Sequence, residues 1–228
     1  IRTLCNEMED DLSELYKTAS RAFGTAGTTP FAAAGEFDDA SEALRILKDN
    51  GAPTAGNRIV CSTAAGAKLL GFQNRFDVIG DPMFNQQGII ANMAGASITE
   101  SGSVESHTKG TGASATTDNS GYSVGDTVIT LASAGTGTII AGDLISFAGD
   151  ATGKYMVTSG DADVSDGGTI TIAAPVLMQA IPASATAITV SAASTRNMCF
   201  ARSALVLATR APAMPEEGDQ ADDSMIIT

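Results

Sequence analysis

The chain has 228 residues, of which 43% are hydrophobic, 17% charged and 5% aromatic, with no tryptophan and a formal net charge of −13. That apolar share is enough to bury the core of one large domain or two small ones. The acidic balance argues against a nucleic-acid reader, which needs a basic stripe to displace phosphate counterions, and against docking on an anionic membrane surface.

Residues 3–23 read as a helix, because Leu4, Met8, Leu12, Leu15, Ala19 and Phe23 recur every three or four positions and line one face. Glu7, Glu9, Asp10 and Glu14 fall elsewhere, mostly in the first half, where the helix dipole favours anions. Gly24 and Gly27 end the helix, and GTAGTTP is a loop. A second helix is expected over 39–50. Asp39 and Glu42 resemble a capping box, Ala43, Leu44 and Leu47 give the apolar face, and Asn50-Gly51 supplies the stop. RIVCS (58–62) reads as a short buried strand, TAAGAKLLGF (63–72) as a helix weakened by Gly66, and ASITES (96–101) as a strand. FNQQGIIANMAG (84–95) is open between helix and strand.

From 111 to 193 the pattern changes. DTVITLAS (126–133), DLISFAG (143–149), KYMVTS (154–159), GTITIAA (168–174) and ATAITVSA (185–192) alternate or are rich in β-branched residues, and Gly, Asp and Ser turns separate them. Short strands at such intervals point to an antiparallel barrel or sandwich, whose closure would cover the edges. After Asn197 a short helix is expected through 210, with Phe200, Ala204, Leu207 and Ala208 apolar and Arg202 and Arg210 flanking. An α+β chain interrupted by a β insert follows: a core over 1–110, the insert over 111–193, and a return over 194–228. Insertion works where the guest's two ends lie close together.

Motifs that carry chemistry elsewhere lack their partners here. GYSVG (121–125) has the form of a nucleophile elbow around Ser123, but His107 precedes it and a strand follows, so two glycines in a turn are the reading. SHTK (106–109) matches Ser-x-x-Lys at Ser106 without the accompanying elements, and reads as a polar loop with a surface or turn histidine. DADVSDGGTITI (161–172) places Asp161, Asp163 and Ser165 at the first, third and fifth positions of a calcium loop, but Asp166 replaces the glycine and Ile172 the bidentate glutamate, so a tight turn is expected. GTGTIIAGD (135–143) lacks the lysine and helix of a phosphate cradle. Adjacent carboxylates at Asp38-Asp39 and Asp222-Asp223 read as caps and solvated faces. Cys5, Cys61 and Cys199 are odd in number and widely spaced, which fits reduced thiols buried as small hydrophobes. No catalytic, cofactor or metal set emerges. No apolar run reaches the roughly 18 residues of a membrane span, and no signal peptide is visible. A start at Ile1 and a strand-like SMIIT at the end read as a piece of a longer protein.

The order of the pieces resembles the major capsid (coat) proteins of tailed bacteriophages, specifically the short-tailed-phage coat family that carries an inserted β-barrel domain. The likeness rests on the acidic helix, on L-x-x-x-G-A-P (47–53), on RIVCS, on GIIANMAGASITES (88–101) and HTKG (107–110), and above all on NMCFARSALVLATRAPAMPEEG from Asn197. In that last segment Asn197, Phe200, Arg202, Ala204, Leu205, Leu207, Ala208 and Pro215 fit the family pattern, whereas Ala201 stands where a histidine is common, so no histidine contact carries over. The resemblance implies the tailed-phage capsid fold, α+β with a spine helix and central sheet, and no enzyme activity or cofactor. It implies hexamers and pentamers closing into an icosahedral shell around double-stranded DNA without sequence-specific binding, with a scaffolding protein and a portal as partners. Assembly would take place in the host bacterial cytoplasm. Two other readings remain: a β-rich binding or adhesion module, such as a surface-layer or adhesin fragment, and a hydrolase built on Ser123 or Ser106.

Overall fold

The computed structural model describes residues 2–32, 38–73, 95–150, 153–175 and 177–208 of an α+β protein. Helix α1 (Arg2–Ser13) tightens into a 3-10 turn at Glu14–Thr18, where the Thr18 hydroxyl donates to the Leu15 carbonyl. The expected helix through residue 23 therefore stops early. Ala19 is extended, at ψ 149°, and the next residues pair with a strand: Arg21 bridges Tyr155 and the Ala22 amide donates to the Lys154 carbonyl. Strand pairing outweighs the helical spacing of Ala19 and Phe23. Helix α2 (Asp38–Asp49) buries Ala40, Leu44 and Ile46. Gly51 turns left-handed at φ 77°, and the Ala52 amide returns to the Leu47 carbonyl, the expected stop. The capping box does not form. Asp39 lies inside the helix and accepts the Phe31 amide, while Glu42 pairs with Arg45 at 2.6 Å.

Strand β1 (Asn57–Ser62) leads directly into helix α3 (Thr63–Gln73). It pairs in parallel with β2 (Ala96–Ser101), Ile59 opposite Ile98. Asn57, Ile59 and Cys61 alternate inward, and Ile59 and Cys61 meet Phe31, Leu44, Ala65, Leu69 and Ile98 in one core. Gly66 of α3 faces β2, where the Glu100 side chain lies against it. Of the cysteines, Cys61 is buried and Cys199 half-buried, but Cys5 is exposed, against expectation.

The β-rich stretch opens with β3 (Ser106–His107). It continues through β4 (Val128–Thr130), β5 (Leu144–Phe147), β6 (Tyr155–Ser159), β7 (Thr169–Ile172) and β8 (Ile188–Val190), and closes with β9 (Ser194–Thr195). Five strands form an antiparallel sheet in the order β4-β7-β6-β5-β8, each shorter than its sequence pattern. Ile129, Ile145, Val157, Ile170 and Ile172 alternate onto its inner face, and Tyr155 and Phe147 complete that core. The edges of the sheet are joined by a seam and not by a full ladder. Residues 115–118 run between them, with single bridges from Thr117 to Leu131 and from Thr116 to Ala187. The Thr117 side chain is itself engaged there, accepting the Thr186 amide. β3 and β9 pair with each other, His107 opposite Ser194, so the strands leading into and out of this region lie side by side.

The segment after Asn197 corrects the sequence reading. Met198–Ala201 is strand β10, antiparallel to β1 with Ile59 opposite Cys199, and completes the sheet order β10-β1-β2. A turn at 202–204 and irregular backbone through 208 follow. Phe200, Ala204 and Leu207 have helical spacing, but so short a helix is marginal alone, whereas the open edge of β1 offers backbone partners at once. The Asn197 side chain fixes the register by accepting the Ser62 amide at 2.8 Å. The expectations for 84–94, 209–210 and Asp222-Asp223 lie outside the described residues.

Tyr155 is fully buried. Its hydroxyl donates to Asp150 at 2.6 Å and accepts the Met178 amide at 3.1 Å. Burial, then the hydrogen bond to Asp150, pushes its pKa up to about 12, and burial likewise raises Tyr16 and Tyr122. An acid whose value is raised on folding holds its proton more tightly folded than unfolded. Its stabilisation is therefore complete below its ordinary value of 10.0 and drains away as pH climbs towards 12. Tyrosinate absorbance should lag free tyrosine across that window and appear together with loss of circular dichroism. A tyrosine titrating at its ordinary value in the folded chain would contradict the assignment.

Candidate functional site

Three parts of the chain meet at one buried polar cluster. The 3-10 turn contributes Tyr16, the strand pair β3-β9 contributes His107 and the adjoining Arg196, and the residue before β5 contributes Asp143. The Tyr16 hydroxyl lies 2.7 Å from His107 Nδ1, and His107 Nε2 lies 2.8 Å from Asp143 Oδ1. The Asp143 carboxylate also accepts the backbone amides of Gly110 at 3.1 Å and Ile140 at 2.9 Å. Because a carboxylate only accepts, Nε2 carries the proton that faces it, and in the neutral imidazole Nδ1 then accepts from Tyr16. Asp143 is 0% exposed, Tyr16 3% and His107 6%.

Beneath this chain of hydrogen bonds lies a small apolar cluster. Tyr16 packs there with Leu144, Met156 and Ala173, and Ala22 and Met198 close its margin. The Tyr16 and His107 rings meet edge to face at 5.7 Å. The Arg196 guanidinium stands 5.9 Å from the Tyr16 ring centroid and donates to the Gly142 carbonyl and the Ser194 hydroxyl, while its Nε has no partner. Burial lowers the Arg196 pKa, partly offset by Tyr16 and Asp143. Gly142 is required on two counts. Its φ of 93° is left-handed, and a Cβ there would sit 2.8 Å from His107 Cε1 and 3.2 Å from the Tyr16 ring.

Tyr-His-Asp has the order of a nucleophile, a base and an orienting acid, but no side chain of the three is open to a substrate. Two clefts among the described residues lie elsewhere, one of about 270 Å³ beside Gly56, Arg58 and Ser97 and another of about 250 Å³ beside Phe147, Asp150 and Gln179. The arrangement therefore fastens the β-rich region to the rest of the chain. A second fastening runs alongside it. Arg21 donates to Asn50 and stands 3.6 Å from Asp49 at the end of α2, and Lys154 donates to the Gly24 carbonyl.

The motifs singled out in the sequence are dispersed. Ser123 sits in a turn, its amide donating to Asp126, with Gly121 and Gly125 both left-handed. Ser106 meets Thr195 across β3-β9, so SHTK begins in a strand and not a loop, and His107 is buried and not at the surface. Asp161 accepts the Asp163 amide and Asp163 the Ser165 amide and hydroxyl, consecutive side-chain turns. Among the described residues no group of three or more His, Cys, Asp or Glu side chains is placed to hold a metal ion. No described helix is long and apolar enough to cross a membrane. No sequence motif marks Tyr16, Asp143 or Arg196. Their one local signal is Gly142-Asp143 ahead of an apolar run, a turn followed by a strand.

No protein family profile matches the chain, and no curated protein does. Among solved structures it is similar to a chain from Mycobacterium phage Che8, at 14% identity and a TM-score of 0.40. The match covers 87% of this chain and 59% of that one, so the chain spans about three fifths of the phage protein's length.

Replacing Tyr16→Phe should cost about 1–3 kcal/mol of unfolding free energy, because His107 Nδ1 is left buried without a donor. Gly142→Ala should cost about 2–4 kcal/mol from backbone strain and overpacking together. In a urea-denaturation cycle, Tyr16→Phe and Asp143→Asn should couple by about 0.5–3 kcal/mol. Strictly additive losses would show that the three side chains act separately.

Proposed function

We propose that the chain is a structural subunit of a tailed-phage head, a major capsid protein that tiles a shell and catalyses no reaction. Segments 1–110 and 194–228 form its capsid core, and 111–193 is an inserted β-barrel domain. The observation that carries this reading is the pairing of β3 with β9, which brings the two ends of the β-rich region together as insertion into a host fold requires. The seam at 115–118 supports a barrel, since it links both edges of the five-stranded sheet. The resemblance of the segment from Asn197 to the short-tailed-phage coat family supplies the function. Subunits in hexamers and pentamers would enclose double-stranded DNA without reading it, guided by a scaffolding protein and closed by a portal, in the bacterial cytoplasm. The net charge of −13 favours a lining to which packaged DNA does not adhere. Weak contacts repeated over a shell sum to a stable particle.

Electron microscopy of the protein, expressed alone and with the products of neighbouring genes, tests the reading. Closed particles of uniform size are expected. A chain that stays monomeric under every condition, or that binds a surface glycan through an aromatic groove, would overturn it in favour of the adhesion reading.

A further inference from the structure

Helix α1 has an apolar stripe that the described residues leave partly open. Leu4 is 65% exposed, Met8 and Leu12 are only half-buried, and the stripe continues to Leu15 in the 3-10 turn. Glu7 and Asp11, each one residue ahead of Met8 and Leu12, run one turn apart along one border of that stripe. Both are exposed, and neither forms an ion pair with any described residue.

A second surface carries the complement. On the outer face of β10-β1-β2, Arg58 lies opposite Phe200. Arg202, two residues on, stands beside Gly56, its Cβ 3.9 Å from where a Gly56 Cβ would be, so the two arginines are diagonal neighbours on one face. Arg58 and Arg202 are exposed and unpaired with any described carboxylate, and Arg58 reaches only the Ser97 hydroxyl. Four and five residues beyond Arg202, Val206 is 82% and Leu207 57% exposed.

We propose that the acidic border and apolar stripe of α1 dock on the Arg58-Arg202 face of a second copy of this chain. Charge complementarity selects that occupant. Two carboxylates one helical turn apart, roughly 6 Å, face two guanidinium groups on a strand diagonal, roughly 7–8 Å, which allows two charge-assisted pairs side by side. Leu4 and Met8 then cover Val206 and Leu207, removing apolar surface from water on both sides. In a chain of net charge −13, approach between copies is repulsive except where such opposite charges meet. The two patches are different surfaces, so the contact is head-to-tail, the kind that generates rings when its rotation closes. This rests on the shell reading for its purpose, though the contact stands on its own geometry.

The test is sedimentation equilibrium of the 228-residue chain up to about 1 mM. Concentration-dependent self-association is expected. The reversals Glu7→Lys/Asp11→Lys and, separately, Arg58→Glu/Arg202→Glu should each weaken it on the order of 100-fold. All four substitutions in one chain should restore it. The neutral variants Glu7→Gln/Asp11→Asn and Arg58→Gln/Arg202→Gln give the same direction if a reversal disturbs the fold, which circular dichroism monitors. A monomeric wild-type chain, insensitivity to either reversal, or failure of the fourfold swap to restore pairing would each overturn the proposal. Closed particles that survive both reversals would reject this contact and leave the shell reading standing. Pairing that obeys the swap in a protein that never forms particles would uphold the contact and reject the shell.

Discussion

A carboxylate with no solvent exposure must find its hydrogen-bond donors inside the protein, and Asp143 sets that constraint for this chain. Two donors are backbone amides from the loops on either side, Gly110 and Ile140, and the third is His107. His107 in turn needs a donor for its other nitrogen, which Tyr16 supplies. Satisfying one buried group thus ties a turn near the start of the chain, a strand at the threshold of the β-rich region and the residue leading into β5 into a single arrangement. Leaving any member without its partner would cost more than the bond itself contributes, so the cluster specifies geometry more than it adds stability.

The apolar packing follows the same lines. Met156 faces away from the core that holds Tyr155 and Val157, and it meets Tyr16 and Leu144 on the other side of the sheet. That is why β6 reads Tyr-Met-Val without alternation: both faces of the strand are covered. Arg21 and Lys154 then hold the extended residues 20–24 against the start of β6. The region from Ser13 to Gly24 is a strap that reaches the end of α2, the β3-β9 pair and the start of β6, which no periodicity could reveal.

What the sequence made legible was local. Asn50-Gly51 stopped α2 where expected, Thr169–Ile172 alternated as written, and ASITES and RIVCS are strands. What it concealed was decided at a distance. The spacing of Phe200, Ala204 and Leu207 describes a helix, yet the free edge of β1 made a strand of Met198–Ala201. The spacing of Ala19 and Phe23 describes a helix, yet Arg21, between them, bridges Tyr155 at the start of β6. His107 looked like a loop histidine because the partners that bury it lie far along the chain in both directions. The residues of the junction are single, unremarkable letters in sequence, and only the topology brings them together.

The three-stranded sheet has a consequence for how the protein is made. Its central strand emerges from the ribosome long before its antiparallel neighbour, since Ser62 and Asn197, which lock the register, are 135 positions apart. Until residue 201 has left the exit tunnel, β1 has one vacant edge, and the nascent chain must keep it from pairing wrongly. The β-rich region is complete earlier and holds its two ends beside each other. It therefore delivers the last strand to the waiting edge, and translation itself orders the closing of the sheet.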